Sequence, residues 1–232
     1  MPEATASRWL RLDGMAIIHR ATLRPSKLEL IEKYLPHQPW FTKDGSAQPE
    51  LLGAYRFEDP DGEVGLETHL LSHGGKVYQI PLSYRGSELA GAGDSLLGTM
   101  EHSVLGRRWV YDACADPVYV TALATAILTG QQEAKQFVEV DGALEPRTSS
   151  VKVQGSGATG TDVPVLSPAV PRTEDGITSI DAGKLTVLVH RVLDPGAQNP
   201  GAQRGPLNGN ETLSGTWADQ SSPVVLASLL PA

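Results

Sequence analysis

The alternation of apolar and polar positions sets out most of this chain's elements. AIIHRATL at 16–23 is β-branched and apolar enough for a strand, which Pro25 stops. Ser26 can then cap a helix over 27–35, in which Leu28, Ile31 and Leu35 fall at i, i+3 and i+7 as one apolar stripe. Pro36 ends that helix. A series of strands is predicted at 52–57, 64–71, 77–83, 96–102 and 107–112. The connectors DPDG and SHGGK carry tight-turn chemistry, which joins neighbouring strands as antiparallel hairpins. Asp116 caps a second helix with Pro117 at its first position. Val120, Leu123, Ala124, Ile127 and Leu128 form its apolar face, and Gly130 lies near its end. Further strands are predicted at 151–154, 185–193, 212–217 and 224–229, the strongest being KLTVLVHRVL. VPVLSPAVPRTEDG and DPGAQNPGAQRGPLNG read as long surface loops. No internal repeat or heptad is present. The pattern describes an α+β fold, an antiparallel sheet with a helix near each end, followed by a smaller β-rich part.

Composition sharpens this division. Twelve of the thirteen aromatic residues lie between Trp9 and Phe137, and only Trp217 follows. Aromatic side chains dominate core burial, so residues 1–137 are expected to form one domain with the better core. Residues 148–232, rich in Gly, Pro, Ser, Thr and Val, form a β-rich subdomain, and DGALEPRTSS around 138–148 reads as the connector. At 232 residues, with 40% hydrophobic and 20% charged side chains, the chain is a folded protein. No apolar run approaches the roughly 20 residues that span a bilayer, and MPEATASRWLRLDG has no secretory pattern. The single cysteine, Cys114, excludes an intrachain disulfide and fits a reducing compartment, so a cytoplasmic location is expected, with Cys114 a small buried hydrophobe. Net charge is −8, and no basic cluster exceeds Arg107-Arg108. Neither a nucleic acid nor a membrane surface is an expected partner.

Three stretches carry candidate chemistry. Gly155, Gly157 and Gly160 in VQGSGATGTDV have the G-x-G-x-x-G spacing that cradles phosphates. The residues that follow, TDVPVLSPAVP, are broken by proline and open no helix, so the segment reads as a flexible turn. Glu67 and His69 share a strand face, with His73 beyond. No third metal ligand is indicated, and the three read as solvent-facing polar residues; no metal or other cofactor is expected. Glu101-His102-Ser103 lacks the spatial convergence and the elbow motif of a serine hydrolase. The segment 98–112 gathers Glu101, His102, Arg107, Arg108, Trp109 and Asp112 around a hairpin tip at Leu105-Gly106. It is either a strand pair with one buried face or a surface for a protein partner or a sugar.

KLELIEKYLPHQPWF, YRFEDPDGEVGLETHLL, VYQIPLSYRG and GTMEHSVLGRRWVYDACADPVYVTALATAI resemble, in order, the N-terminal cap of actinobacterial maltokinases. The likeness covers most of residues 16–135. It implies a curved antiparallel sheet with packed helices, a cystatin-like cap, which in those kinases sits on the ATP-binding lobe of a maltose-phosphorylating enzyme. LTVLVHRVLDPGAQNP resembles, more distantly, the N-lobe strand that carries a phosphate-binding lysine. In that register Leu188 takes the lysine's place, and Lys184 stands four residues earlier. The catalytic-loop Asp with its Asn, and the metal-binding Asp motif, are not found in the sequence. The resemblance therefore implies a non-catalytic cap-like protein, a binding or regulatory module of maltose, α-glucan or trehalose metabolism, whose partner is a carbohydrate or a protein of that metabolism. The alternative is a sugar-kinase-related enzyme that binds nucleotide through Gly155–Gly160.

Overall fold

A computed structural model describes residues 15–18, 21–43, 48–140, 143–193 and 210–232. In chain order the strands and helices are β1 (Met15–Ile18), β2 (Leu23–Arg24), α1 (Lys27–Tyr34), β3 (Glu50–Phe57), β4 (Gly65–His73), β5 (Lys76–Arg85), β6 (Leu96–His102), β7 (Gly106–Asp112) and α2 (Pro117–Thr129). They continue as β8 (Lys135–Val140), β9 (Ala143–Arg147), β10 (Val151–Gly155), β11 (Arg172–Glu174), β12 (Ile177–Asp181), β13 (Leu185–His190), β14 (Val192–Leu193), β15 (Thr212–Trp217) and β16 (Gln220–Pro231).

The strands form three sheets. The cap sheet is antiparallel in the order β2-β6-β7-β5-β4-β3, with β14 also paired to β5. A second antiparallel sheet has the order β10-β15-β16-β13-β12-β11, and in a third β1 pairs in parallel with β8, which pairs with β9. The α+β reading holds, with a curved cap sheet and two short helices.

Local signals account for both helices. Ser26 Oγ accepts from the Glu29 amide (3.3 Å) while the Glu29 carboxylate accepts from the Ser26 amide (2.7 Å), a reciprocal cap. Asp116 caps α2 by accepting from the Val118 amide (3.0 Å), and Gly130 closes it at φ +67°, a left-handed conformation that favours glycine. The apolar stripe of α1 differs from expectation. Leu30, Ile31 and Leu35 are buried, whereas Leu28 is exposed, because the helix turns Leu30 and Ile31 toward the sheet. Helix α2 buries more than one face: Tyr119, Val120, Leu123, Ala124, Ala126 and Ile127 are all enclosed.

Two apolar clusters divide the cap sheet's faces. On one face Leu71, Tyr78, Ile80, Leu82, Met100 and Val110 pack against Leu30, Ile31 and Leu35 around α1. On the other, Tyr55, Phe57, Leu66 and Leu70 join α2 and Val151, Val187, Leu213, Trp217 and Leu226 of the second sheet. Residues on both sides of 138–148 thus contribute to one core.

Several segments depart from the sequence pattern. The connector reading of 138–148 is corrected: Ala143–Arg147 forms β9, pairing with β8, which pairs in turn with β1 far away in sequence. The strand expected at 16–23 is described as two pieces, β1 and β2, and residues 19–20 lie outside the described residues, as does the whole of the loop expected after Leu193. The expected loop before β13 contains the β11–β12 hairpin, turned by Asp175-Gly176 with both residues at positive φ. Finally, the run predicted as one strand at 185–193 breaks at Arg191. There the chain leaves the second sheet and joins the cap sheet, where Val192 pairs with Tyr78.

Arg191 anchors this crossing. Its Nη2 donates to both oxygens of Asp112 (2.8 Å each) and its Nε to Thr178 Oγ1 (2.7 Å). Asp112 also accepts from Tyr34 Oη (2.7 Å) and the Cys114 amide (3.0 Å). Burial alone would lower the Arg191 pKa, but the Asp112 carboxylate outweighs it and holds the guanidinium charged. Removing one partner of a buried ion pair leaves the other charge uncompensated, a loss of about 3–5 kcal/mol. Asp112→Asn is therefore expected to lower the unfolding free energy measured in urea by that amount. The double variant Asp112→Asn/Arg191→Met should lose less than the sum of the single losses. An additive double variant would show that the pair does not couple the two sheets.

Candidate functional site

A cleft of about 2150 Å³ opens beside the cap sheet. Its walls come from the β3–β4 turn, the outer stripe of α2 (Pro117, Val118, Thr121, Ala122, Thr125), residues 130–137, residues 146–149, and His102, Leu105 and Arg108 of the β6–β7 hairpin. Gln131, Gln132, Gln136 and Gln154 line it together with Tyr84 and Phe137. The cleft is larger than the roughly 300–1,000 Å³ of a typical small-molecule pocket, and its mixture of aromatic and hydrogen-bonding residues is the kind that such sites use.

A charged cluster lies against this cleft. Arg56 on β3 and Glu67 on β4 are cross-strand neighbours, and Arg56 donates to Glu67 Oε1 from Nε (3.2 Å) and Nη2 (3.0 Å). Lys27, the first residue of α1, donates to the other oxygen, which also accepts from Tyr84 Oη (3.2 Å). His69 Nε2 lies 3.6 Å away, and the Lys27 ammonium sits 5.2 Å from the centre of the Tyr84 ring. Burial would raise the Glu67 pKa, but His69, Arg56 and Lys27 outweigh it and hold the carboxyl well below the usual carboxylate range. Burial pushes the His69 imidazole down to about 4 despite the pull of Glu67, and it lowers the Lys27 ammonium as well. The expectation that Glu67, His69 and His73 face solvent is thus corrected. Helix α1 covers the same sheet face that carries Leu71, and His69 and His73 are only 4% and 6% exposed. His73 stacks on Phe41 at 5.0 Å. Among the described residues, no group of three or more His, Cys, Asp or Glu side chains is arranged to hold a metal.

The six residues read as one recognition surface are divided among three places. His102 and Arg108 line the cleft. The His102 imidazole accepts the Val104 and Leu105 amides through Nδ1 (3.2 and 3.1 Å), shaping the hairpin tip. Glu101 and Arg107 stand opposite one another on the outward face, paired at 3.0 Å and well exposed, with Trp109 half-buried on the same face. Asp112 is not a surface residue: it is buried beneath α1, paired with Arg191. The cause is strand alternation, which puts Arg108, Val110 and Asp112 on the α1 side and Arg107, Trp109 and Tyr111 on the other.

The glycine segment has a definite task that a flexible turn would not have. The Gly157 amide donates to the Ile127 carbonyl (2.9 Å) and the Ala158 amide to the Leu128 carbonyl (3.1 Å), while Gly155 donates to Gln131 (2.9 Å). These are backbone carbonyls at the C-terminal end of α2 and just beyond it, which a helix leaves without internal partners. A side chain at either glycine would collide with that backbone: a Cβ at Gly155 would lie 2.0 Å from the Ala126 oxygen, and one at Gly157 2.0 Å from the Leu128 oxygen. The C-terminal end of a helix is the negative end of its dipole and repels phosphate. Gly160 stands apart at φ +89° with nothing near its missing Cβ. Cys114, as expected, is buried.

Sequence reasoning overlooked the Lys27–Arg56–Glu67–Tyr84 cluster, although part of its signal is visible. Arg56 lies three residues before the DPDG turn and Glu67 five after it, on the two arms of one predicted hairpin, and they pair because the loop runs two residues past the turn before β4 begins. Nothing in the sequence pointed to Lys27 across from β4.

Residues 34–116 match the family model of the maltokinase N-terminal cap domain. Over this stretch, from the end of α1 through the cap sheet to the N-cap of α2, the chain is maltokinase-cap-like. The match is narrower than the resemblance read from the sequence, and it leaves the second sheet outside. No curated protein matches the chain.

Two measurements check this site. Gly157→Ala should destabilise by about 2 kcal/mol or more, because its Cβ meets backbone rather than a movable side chain. Gly160→Ala should cost only about 1–2 kcal/mol for its positive φ. Equal losses in urea unfolding would return the segment to a flexible turn. The second concerns pH. His69 titrates at about 4 in the folded protein and near 6.5 when unfolded, so between those values the unfolded chain holds the extra proton. Stability is then fully present above pH 6.5 and falls toward pH 4, at up to about 1.4 kcal/mol per pH unit. Glu67, and His190 with its lowered pKa, act in the same direction. His69→Gln should flatten the dependence of the urea midpoint between pH 6.5 and 4.5; an unchanged slope would contradict a buried neutral imidazole.

Proposed function

We propose that this protein is a non-catalytic binding or regulatory module connected with maltose and α-glucan metabolism, and that its cleft takes a carbohydrate. The link to that metabolism rests on the cap match at residues 34–116. The observation that carries the non-catalytic reading is the engagement of the Gly157 and Ala158 amides by the end of α2. A phosphate cradle needs free amides converging on an anion, at a helix N-terminus or in a nest. Here the two amides are already bonded, and they face the opposite end of a helix. The strand position that would hold a phosphate-binding lysine carries Leu188, on β13 of the second sheet. The cleft supplies what sugar recognition requires, with glutamine amides and arginines for hydroxyl groups and aromatic rings for the sugar's apolar face. The outward strip of Glu101, Arg107 and Trp109 is the face we assign to a protein partner.

Calorimetry on the full chain with maltose, a maltooligosaccharide and trehalose should give saturable binding of at least one of them. A thermal-shift series with millimolar ATP and Mg²⁺ should give no stabilisation, whereas a nucleotide present at about 100 times its Kd would add about 2.7 kcal/mol. Stabilisation by ATP, with ADP released on adding sugar, would favour the sugar-kinase-related alternative. No sugar binding, together with no capture of an α-glucan-pathway protein, would end the proposal.

A further inference from the structure

We propose that the cleft holds an uncharged oligosaccharide of about four or more units lying along helix α2, and that a disaccharide fills only part of it. The inference deepens the reading of the cleft as a carbohydrate site and rests on it. A pocket for a drug-sized molecule, which a disaccharide matches in size, holds roughly 300–1,000 Å³. The cleft's 2150 Å³ is about twice the upper end of that range, which leaves room for about four sugar units. Shape points the same way. Pro117, the first residue of α2, lines the cleft, and so do Gly130, Gln131 and Gln132 just past the helix's end. The cleft therefore runs the length of α2, about 20 Å for its 13 residues, and a disaccharide cannot reach both ends.

The groups that can bond hydroxyls are spread along this wall and do not converge on one point. Glu63 lies toward the start of α2, because it shares a small side pocket with Arg85, which bonds the Asp116 cap. Thr121 and Thr125 stand along the helix, and Gln131 lies beyond its far end. Charge favours an uncharged ligand. Among the described residues, six lysines and arginines line the cleft against five carboxylates, and Glu67 behind Lys27 and Arg56 makes the sixth. Three of these cations are already paired, Lys27 and Arg56 with Glu67 and Lys152 with Glu133. A balanced wall gives no net field to attract an ion. Affinity must then come from hydrogen bonds and ring contacts repeated along a chain, each modest on its own.

The test is calorimetry on the full chain with maltose, maltotetraose and maltoheptaose, and with glucose and glucose 6-phosphate. Affinity should rise by about tenfold or more from maltose to maltotetraose, as the added units make their own hydrogen bonds. Glu63→Ala and Gln131→Ala, at exposed positions toward opposite ends of the cleft, should each weaken maltoheptaose by about fivefold, the loss of one hydrogen bond. Maltose should respond to no more than one of the two variants. Glucose 6-phosphate should bind no more tightly than glucose. Maltose binding as tightly as maltotetraose would overturn the inference while leaving the carbohydrate reading intact. So would maltoheptaose binding that neither variant alters, or a gain in affinity from the phosphate. Binding of no sugar at all would remove the inference and the carbohydrate reading together.

Discussion

Helix α2 has apolar side chains on nearly every side, and the architecture around it follows from the need to cover them. A surface helix hides one stripe and leaves the rest to water. PVYVTALATAILT cannot do so, with Tyr119, Val120, Leu123, Ala124, Ala126 and Ile127 all requiring burial. The cap sheet supplies Tyr55, Phe57, Leu66 and Leu70 on one flank, and the second sheet supplies Val151, Leu213, Trp217 and Leu226 on the other. The same demand extends to the backbone. The carbonyls at the end of α2 are buried against β10, and Gly155 and Gly157 supply donors there because no residue with a Cβ could come so close. Only the outer stripe from Pro117 to Thr125 is left beside open space, and it becomes a wall of the cleft.

Joining two sheets across a helix brings polar backbone into the seam, and specific side chains satisfy it. Gln79 on β5 donates to the carbonyls of His190 and Leu226 (2.9 Å each) and accepts from Tyr55 Oη (3.1 Å), tying the cap sheet to the second sheet. Arg191 does the same with charge, and its guanidinium also lies 5.4 Å from the centre of the Trp40 ring. On the opposite flank Arg85 holds the Asp116 cap through two 2.7 Å bonds, which links β5 to the start of α2. These contacts place the charged corner, the hairpin tip and the β8–β9 pair around one cleft.

Much of the cap was legible because its signals are local. Ser26, Asp116-Pro117 and Gly130 mark helix ends through their own chemistry, and β6 and β15 begin and end where alternation places them. What escaped is decided at long range. β8 and β9 carry mixed charges and no clear alternation, and the pairing of β8 with β1 is invisible in a local window. Arg191 looked like one more position in an apolar strand, although its partner Asp112 is 79 residues away. The glycine spacing was plain, but its meaning depended on which helix end it would meet. The charged corner was the least legible part of the site, since α1, β3, β4 and β5 each contribute one or two residues.

Native-state hydrogen exchange on the full chain tests most directly the claim that α2 holds both sheets in one core. Amides of α2, of Gly157 and Ala158, and of the central strands β5 and β16 should share one opening free energy and respond alike to denaturant. If β16 and the Gly157 and Ala158 amides exchange through a separate opening of lower free energy while β4 and β5 stay protected, the claim is wrong.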